Sequence, residues 1–263
     1  MKKTIGGLSV LVEGNQKDTA IIFLHGFPYD HTMWHEQIAA LSENYYCVAY
    51  DIRGLGGSSV GDGQFTMESF VDDLELMINE LRIEKPSILC GFSMGGYIAL
   101  RALERMENAF SAVILCDTAS NADDNEGKLN RSDVIRRINA QGLTSFSKNF
   151  IGHCFSDGYK KAHKEVIDKR IAKSTKFNSI GVKGCLFAML TRNDMTSFLP
   201  SITIPTLVMC GEHDTITPPA KVKAMAEKIP NAEFVLIKNA AHMSVVENPV
   251  ECNEAIKAFL AKL

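Results

Sequence analysis

Six short apolar runs, at residues 20–24, 46–50, 87–90, 112–116, 206–210 and 234–237, constrain the fold more than any other feature of this sequence. Several are rich in Val and Ile, and most give way to Gly, Asp, Asn or His. A run that is apolar at successive positions, not at alternate ones, has both faces buried. That is the condition of a strand inside a parallel sheet covered by helices on both sides. Between the runs lie longer segments with helical spacing. Residues 67–81 place Phe70, Val71, Leu74, Met77, Ile78 and Leu81 on one stripe, with Thr66 as an N-cap and Ser69 as an early polar position. Residues 94–106 and 249–263 read as helices, and Pro218-Pro219 sits where a further helix toward Ile229 would start. This alternation predicts a mostly parallel, doubly wound α/β sheet with right-handed crossovers.

One stretch breaks the rhythm. Residues 120–197 contain no convincing strand and read as helices at about 132–141, 144–154, 159–174 and 179–190. The expectation is an α/β core formed by residues 1–119 and 198–263, with a helical cap at 120–197 inserted between two strands. A chain of 263 residues can bury a core large enough to need neither disulfide nor metal. Seven cysteines, with no Cys-x-x-Cys pair and with Cys90, Cys116 and Cys210 inside apolar runs, suit reduced structural thiols. Lys2 and Lys3 are followed by no signal-peptide core, and no apolar run has membrane-spanning length. A cytoplasmic protein is expected. The net charge of −3 gives no reason to expect nucleic acid or an anionic membrane as a partner.

The chemistry-bearing residues stand at the ends of the apolar runs. Ser93, in Gly91-Phe92-Ser93-Met94-Gly95, lies between a strand and a helix. A serine on such a turn has an exposed hydroxyl, and the helix N-terminus adds amide donors where negative charge would develop. The bland alternative is an ordinary serine N-cap. A serine hydroxyl needs a base, and His242, a short loop after the sixth run, is the best of seven histidines. Asp214, just past the fifth run, would hold the His242 tautomer, with Asp117 as the rival acid. Strand ends at one edge of a parallel sheet converge, so Ser93, Asp214 and His242 can meet. Two backbone amides would form an oxyanion hole. One is that of Met94. The other is that of Phe27, in His25-Gly26-Phe27, where the His25 side chain would fix the loop and play no catalytic part.

With these residues in place, the chain resembles the α/β-hydrolase superfamily along nearly its whole length outside the cap. Asp51-Ile52-Arg53-Gly54-Leu55-Gly56-Gly57-Ser58 is similar to a structural loop common in these enzymes. Pro205-Thr206-Leu207-Val208 leading to Gly211-Glu212-His213-Asp214 and Thr217-Pro218 resembles their acid-bearing segment, and His242 followed by Glu247-Asn248-Pro249 resembles their histidine loop. Ser93-Met94-Gly95-Gly96 and the compact helical cap look similar to those of small carboxylesterases and 3-oxoadipate enol-lactonases. A serine at position 93 speaks against the haloalkane dehalogenases and epoxide hydrolases, which carry aspartate there. The resemblance implies hydrolysis of a small-molecule ester or lactone through an acyl-enzyme, with no cofactor and no metal. Two alternatives stay open: a C–C bond hydrolase or lyase with the same triad, and a ligand-binding signalling protein that retains it.

The cap carries 14 Lys and Arg against 8 Asp and Glu, a charge of +6, which would attract an acidic substrate if it were more than solvated helix faces. Phe150 and Phe187 are expected to line the substrate pocket. Tyr29, together with Trp34, is expected near its entrance.

Overall fold

The computed structural model describes all 263 residues. Eight strands form one sheet: β1 (Lys2–Ile5), β2 (Leu8–Glu13), β3 (Ala20–Leu24), β4 (Tyr46–Tyr50), β5 (Ser87–Phe92), β6 (Phe110–Cys116), β7 (Thr206–Gly211) and β8 (Ala232–Ile237). Their order across the sheet is β1-β2-β4-β3-β5-β6-β7-β8. Strands β3 to β8 run parallel, whereas β1 and β2 form a hairpin that joins β4 antiparallel. The six apolar runs are the six parallel strands. The hairpin escapes that pattern because β1 is an exposed edge strand and needs no apolar run.

The sheet divides the core by strand periodicity. Ile22, Leu24, Val48, Tyr50 and Leu89 face one cluster of 45 buried residues. Their neighbours Ile21, Phe23, Cys47, Ala49 and Ile88 face another of 30. Helices α2 (Met67–Glu80), α3 (Met94–Met106) and α9 (Pro219–Ala226) bury Phe70, Leu74, Ile98, Leu103 and Val222 against the first face. Helices α1 (His35–Leu41) and α10 (Pro249–Leu260) bury Ile38, Leu41, Cys252 and Ile256 against the second. The start of α2 is fixed by a reciprocal capping box between Thr66 and Ser69. Truncating a buried leucine such as Leu74 to alanine would cost about 2–5 kcal/mol.

Between β6 and β7 the chain builds α4 (Asn125–Gln141), α5 (Leu143–His153), α6 (Asp157–Ala162), α7 (Lys164–Ser174) and α8 (Ser179–Leu190). Helix α4 starts earlier than its spacing predicts because Asp124 caps it, accepting from the Gly127 amide at 2.8 Å. The single helix expected at 159–174 is two, broken where His163 leaves helical geometry (φ −128°, ψ 40°). The excursion closes on itself: the Met195 amide donates to the Ser120 carbonyl at 2.8 Å, and the Ser120 and Thr196 hydroxyls lie 3.1 Å apart. All seven cysteines are unpaired and buried, and burial pushes the Cys47 and Cys154 thiols up to about 12. No helix is long and apolar enough to cross a membrane.

Candidate active site

The C-terminal ends of the parallel strands bring the candidate residues together. Ser93 follows β5 directly and holds φ 50°, ψ −112°. A non-glycine residue there costs about 1–3 kcal/mol, so its surroundings must impose it. Four hydrogen bonds do so. The Ser93 amide donates to the Cys116 carbonyl, and the Ser93 carbonyl accepts from the amides of Gly96 and Tyr97 and from the Thr118 hydroxyl. Gly95 is required by close approach, since a Cβ on it would stand 2.2 Å from the Leu24 carbonyl oxygen. An ordinary N-capping serine would accept from the first turn of its helix; Ser93 makes no such bond, and its hydroxyl points elsewhere.

That hydroxyl lies 3.0 Å from His242 Nε2, and His242 Nδ1 lies 2.8 Å from Asp214 Oδ2. Asp214 Oδ1 accepts from the amides of Ile216 and Thr217, and Oδ2 also accepts from the Thr217 hydroxyl. An ionised carboxylate only accepts, so Nδ1 carries the proton and Nε2 presents its lone pair to Ser93. Burial alone would push the Asp214 carboxyl up. Electrostatic attraction and the hydrogen bond from His242, with the hydrogen bonds from Thr217, outweigh burial and hold it below its ordinary range.

Asp117, the rival acid, has a different position. Its Oδ1 accepts from the Gly211 amide at 2.8 Å and its Oδ2 from the Ser244 hydroxyl, so one carboxyl ties the end of β7 to the histidine loop. Full burial, and then the nearby Asp214 charge, push it well above the usual carboxylate range. Asp214 and not Asp117 bonds His242 Nδ1. Glu247 is a second brace. Its carboxylate accepts from the Ala241 amide before the histidine and from the Ser156 amide after α5, both at 2.9 Å. In sequence it stands in the motif Glu247-Asn248-Pro249 after His242, with nothing there to show that it braces Ser156.

His25 is fully buried and accepts from the Ile52 amide through Nε2 at 2.8 Å. Its Nδ1–H therefore donates to the Gly26 carbonyl, 2.9 Å away, which pins the loop. Burial lowers its pKa and keeps it neutral. Gly26 runs against Ser93: a Cβ there would lie 3.2 Å from Ser93 Cβ and 2.5 Å from the Phe92 ring. The next amide, that of Phe27, donates to no acceptor within the protein. Met94 opens α3, where helical amides lack internal partners. Asp51 anchors the adjoining loop, accepting from the His31 amide and ring Nδ1 and from the Gly57 amide.

A cavity of about 380 Å³ opens on Ser93. Phe27, Val134, Phe146, Phe150, Leu186 and Met189 form its apolar wall, and Asp123, Asn130 and Arg131 are polar members. Phe150 is part of this wall, whereas two other expectations need correction. Phe187 is 48% exposed on the outside of α8, because the helical turn aims its neighbours Leu186 and Met189 inward instead. Tyr29 is 4% exposed and packs in the core beneath the sheet's second face, outside the cavity wall. Trp34 is likewise core, between Phe23 and Phe92. Sequence reasoning missed Asp123 and Arg131, since charges just before and within a polar helix read as a solvated face. The spacing 127, 130, 131, 134 on α4 is the signal that one helical face is shared.

This strand order, the strained serine between β5 and α3, and the helical excursion after β6 define an α/β hydrolase. The sequence profile of the α/β hydrolase fold family matches residues 19–249, and the chain belongs to that family. It is similar to 3-oxoadipate enol-lactonase 1 of Acinetobacter baylyi, with 29% identity over 97% of this chain and 94% of that one. Among solved structures it is similar to a thermophilic esterase from Thermogutta terrifontis (malate bound), with TM-score 0.93 and 33% identity over 100% of this chain and 98% of the other. It shares its fold with the enol-lactonase from Burkholderia xenovorans, with TM-score 0.91 and 24% identity over 99% of this chain and all of that one.

Proposed function

We propose that this enzyme is a serine hydrolase that cleaves a small carboxylic ester or lactone through an acyl-enzyme. One observation carries this reading: the unbroken Ser93–His242–Asp214 relay, with contacts of 3.0 and 2.8 Å, opening on an apolar cavity. His242 Nε2 takes the Ser93 proton as Oγ attacks the carbonyl carbon. The amides of Phe27 and Met94 receive the oxyanion, each contributing about 3 kcal/mol of transition-state stabilisation. His242 returns the proton to the leaving alkoxide or enolate, then activates water to release the acid. Asp214 orients the ring and offsets its transient charge. Every step uses side chains and amides of the chain itself. Residues 120–197 serve as the cap that shapes the cavity. Seven unpaired buried thiols suit a reducing compartment, so we place the enzyme in the cytoplasm. The esterase and lactonase relatives agree with this chemistry.

A fluorophosphonate probe should label Ser93, and Ser93→Ala should lose both labelling and turnover of short-chain esters while keeping the fold. Labelling that survived Ser93→Ala unchanged would remove the assignment. Turnover restricted to vinylogous diketo acids would replace it with C–C bond hydrolysis.

A further inference from the structure

Two helices of the cap grip the loop that carries the Phe27 amide. From α5, the Phe146 and Phe150 rings stand with their centroids 5.7 and 5.9 Å from that of Phe27. From α7, Ile167 is buried in the cluster that holds Tyr29 and Trp34, with Ile171 packed against it. Lys173, in the last turn of α7, donates through Nζ to Asp30 Oδ2 at 2.5 Å and to the Thr32 hydroxyl at 3.1 Å. This is the single ion pair between residues 120–197 and the rest of the chain. Asp30 lies three residues past Phe27, beyond a turn that the Tyr29 amide closes on the Gly26 carbonyl at 3.0 Å. Its Oδ1 accepts from the Thr32 amide at 3.0 Å and from the Thr32 hydroxyl, and caps the short 3₁₀ turn His31–Trp34. Only Lys173 reaches this carboxylate from outside its own turn. The Asp30 side chain is 4% exposed. Burial would push its carboxyl up; the bonds from Lys173 and Thr32 outweigh burial and hold it below its ordinary range. A buried carboxylate without its cation must take a proton or turn toward water.

Resting on the hydrolase reading above, we propose that Lys173 is a positioning residue for the reaction: through Asp30 it ties the cap to the oxyanion loop and keeps the Phe27 amide at the place where the oxyanion forms. The connection is short. Releasing Asp30 frees the turn from Gly26 to Tyr29, and the Phe27 amide lies inside that turn. Asp51 holds the far side of the same segment through the His31 amide and ring, so the loop stays folded and loses only its alignment. Acylation and deacylation both pass through an oxyanion, so a displaced amide slows both steps and leaves substrate binding alone.

The test is p-nitrophenyl acetate hydrolysis by Lys173→Met, with Tm measured in parallel. The expected result is a fall in kcat of at least about ten-fold with KM nearly unchanged, since a misplacement of about 1 Å costs about 10²-fold. The inhibitor 1,1,1-trifluoro-2-butanone reads the oxyanion site separately. Ser93 Oγ adds to its carbonyl carbon, His242 takes the Ser93 proton, and the carbonyl oxygen becomes an oxyanion facing the Phe27 and Met94 amides. Its inhibition should weaken by the same factor as kcat. Lys173→Arg should restore part of the rate, and Lys164→Met, which breaks an ion pair within α7 alone, should match the parent. Asp30→Asn combined with Lys173→Met should equal Lys173→Met, because the same tether is lost in both. A smaller fall in Lys173→Met, a fall carried by KM, an equal fall in Lys164→Met, no restoration by arginine, or unchanged inhibition by the ketone overturns the inference. So does a double variant slower than Lys173→Met, or one that regains the parent rate, which would make the stranded Asp30 charge the cause. Should Lys173→Met not fold, Lys173→Gln is judged by the same outcomes; failure of both to fold would make the residue structural and overturn the inference. A parent that turns over esters no faster than Lys173→Met refutes this inference alone. A parent with neither ester turnover nor labelling of Ser93 refutes the hydrolase reading instead.

Discussion

Replacing Gly26 by alanine tests the oxyanion loop most directly, because the structure sets the size of the perturbation. The added Cβ would stand 2.5 and 2.7 Å from two carbons of the Phe92 ring and 3.2 Å from Ser93 Cβ. Carbon atoms settle at about 3.5–4.0 Å, so something must move by about 1 Å. The Phe92 ring cannot yield freely. It is fully buried, with its centroid 6.4 Å from Trp34 and 5.1 Å from His242, and shifting it would displace the base. The other way out is recoil of the Gly26–Phe27 backbone, which withdraws the Phe27 amide. A misplacement of this size costs about 10²-fold, and loss of one oxyanion donor costs about 10²–10³ in kcat. Overpacking of this kind destabilises by about 1–3 kcal/mol, or several degrees in Tm, so the variant should remain folded at assay temperature. The assay is p-nitrophenyl acetate hydrolysis with Tm measured in parallel. Gly152→Ala is the control, since its Cβ meets nothing within 4 Å. A folded Gly26→Ala enzyme with kcat within three-fold of the parent, about 0.7 kcal/mol, would refute the oxyanion assignment.

The same geometry sets further outcomes. Ser93→Gly should abolish turnover yet raise Tm, because glycine relieves the φ 50° strain at that position; an unchanged or lower Tm would mean the turn is not strained. Asp214→Asn should lower kcat by about 10⁴ through the wrong His242 tautomer, whereas Asp117→Asn should change it only a few-fold, and the reverse ranking in steady-state kinetics would exchange the two acids. Asp117 also predicts a pH effect. Its folded pKa lies above the ordinary 3.8, so its contribution to stability is greatest below that value and falls as pH rises toward the folded value. Asp117→Asn removes this penalty, and thermal melts should show its Tm advantage over the parent growing from pH 4 to pH 7. A shrinking advantage would contradict the sign. Glu247→Ala leaves the Ala241 and Ser156 amides without their acceptor, and should cost about 1–3 kcal/mol and loosen the histidine loop, read as slower fluorophosphonate labelling.

The parallel strands and the relay were legible in the sequence for related reasons. A strand buried on both faces must be apolar throughout, and the residues just past its C-terminal edge must be polar and local. Ser93, Asp214 and His242 each stand within a few residues of such a run, so sequence order translated into spatial order. The β1–β2 hairpin was not legible because the exposed edge strand β1 carries no apolar run and the half-buried Ser9 interrupts β2. The cavity wall was harder still. Leu186 and Phe187 are adjacent apolar residues on one helix, and only the packing of α4 against α8 decides which of them faces inward. Arg131 and Asp123 look like solvated charges until Arg192, about 60 residues further on, is placed beside them.

The excursion between β6 and β7 leaves and re-enters the molecule at one place, where Met195 is bonded to Ser120. Its ends are thereby fixed at one junction, while Ile138, Leu143 and Val182 join the core cluster and Glu247 holds the Ser156 amide. Closing a longer loop at a fixed junction adds only about 0.6 kcal/mol per doubling. The exposed faces of these five helices can therefore change in length or charge at little cost in closure while the strand ends keep their geometry. The molecule thus separates strand ends whose geometry the sheet sets from a helical excursion whose outer faces are free to vary.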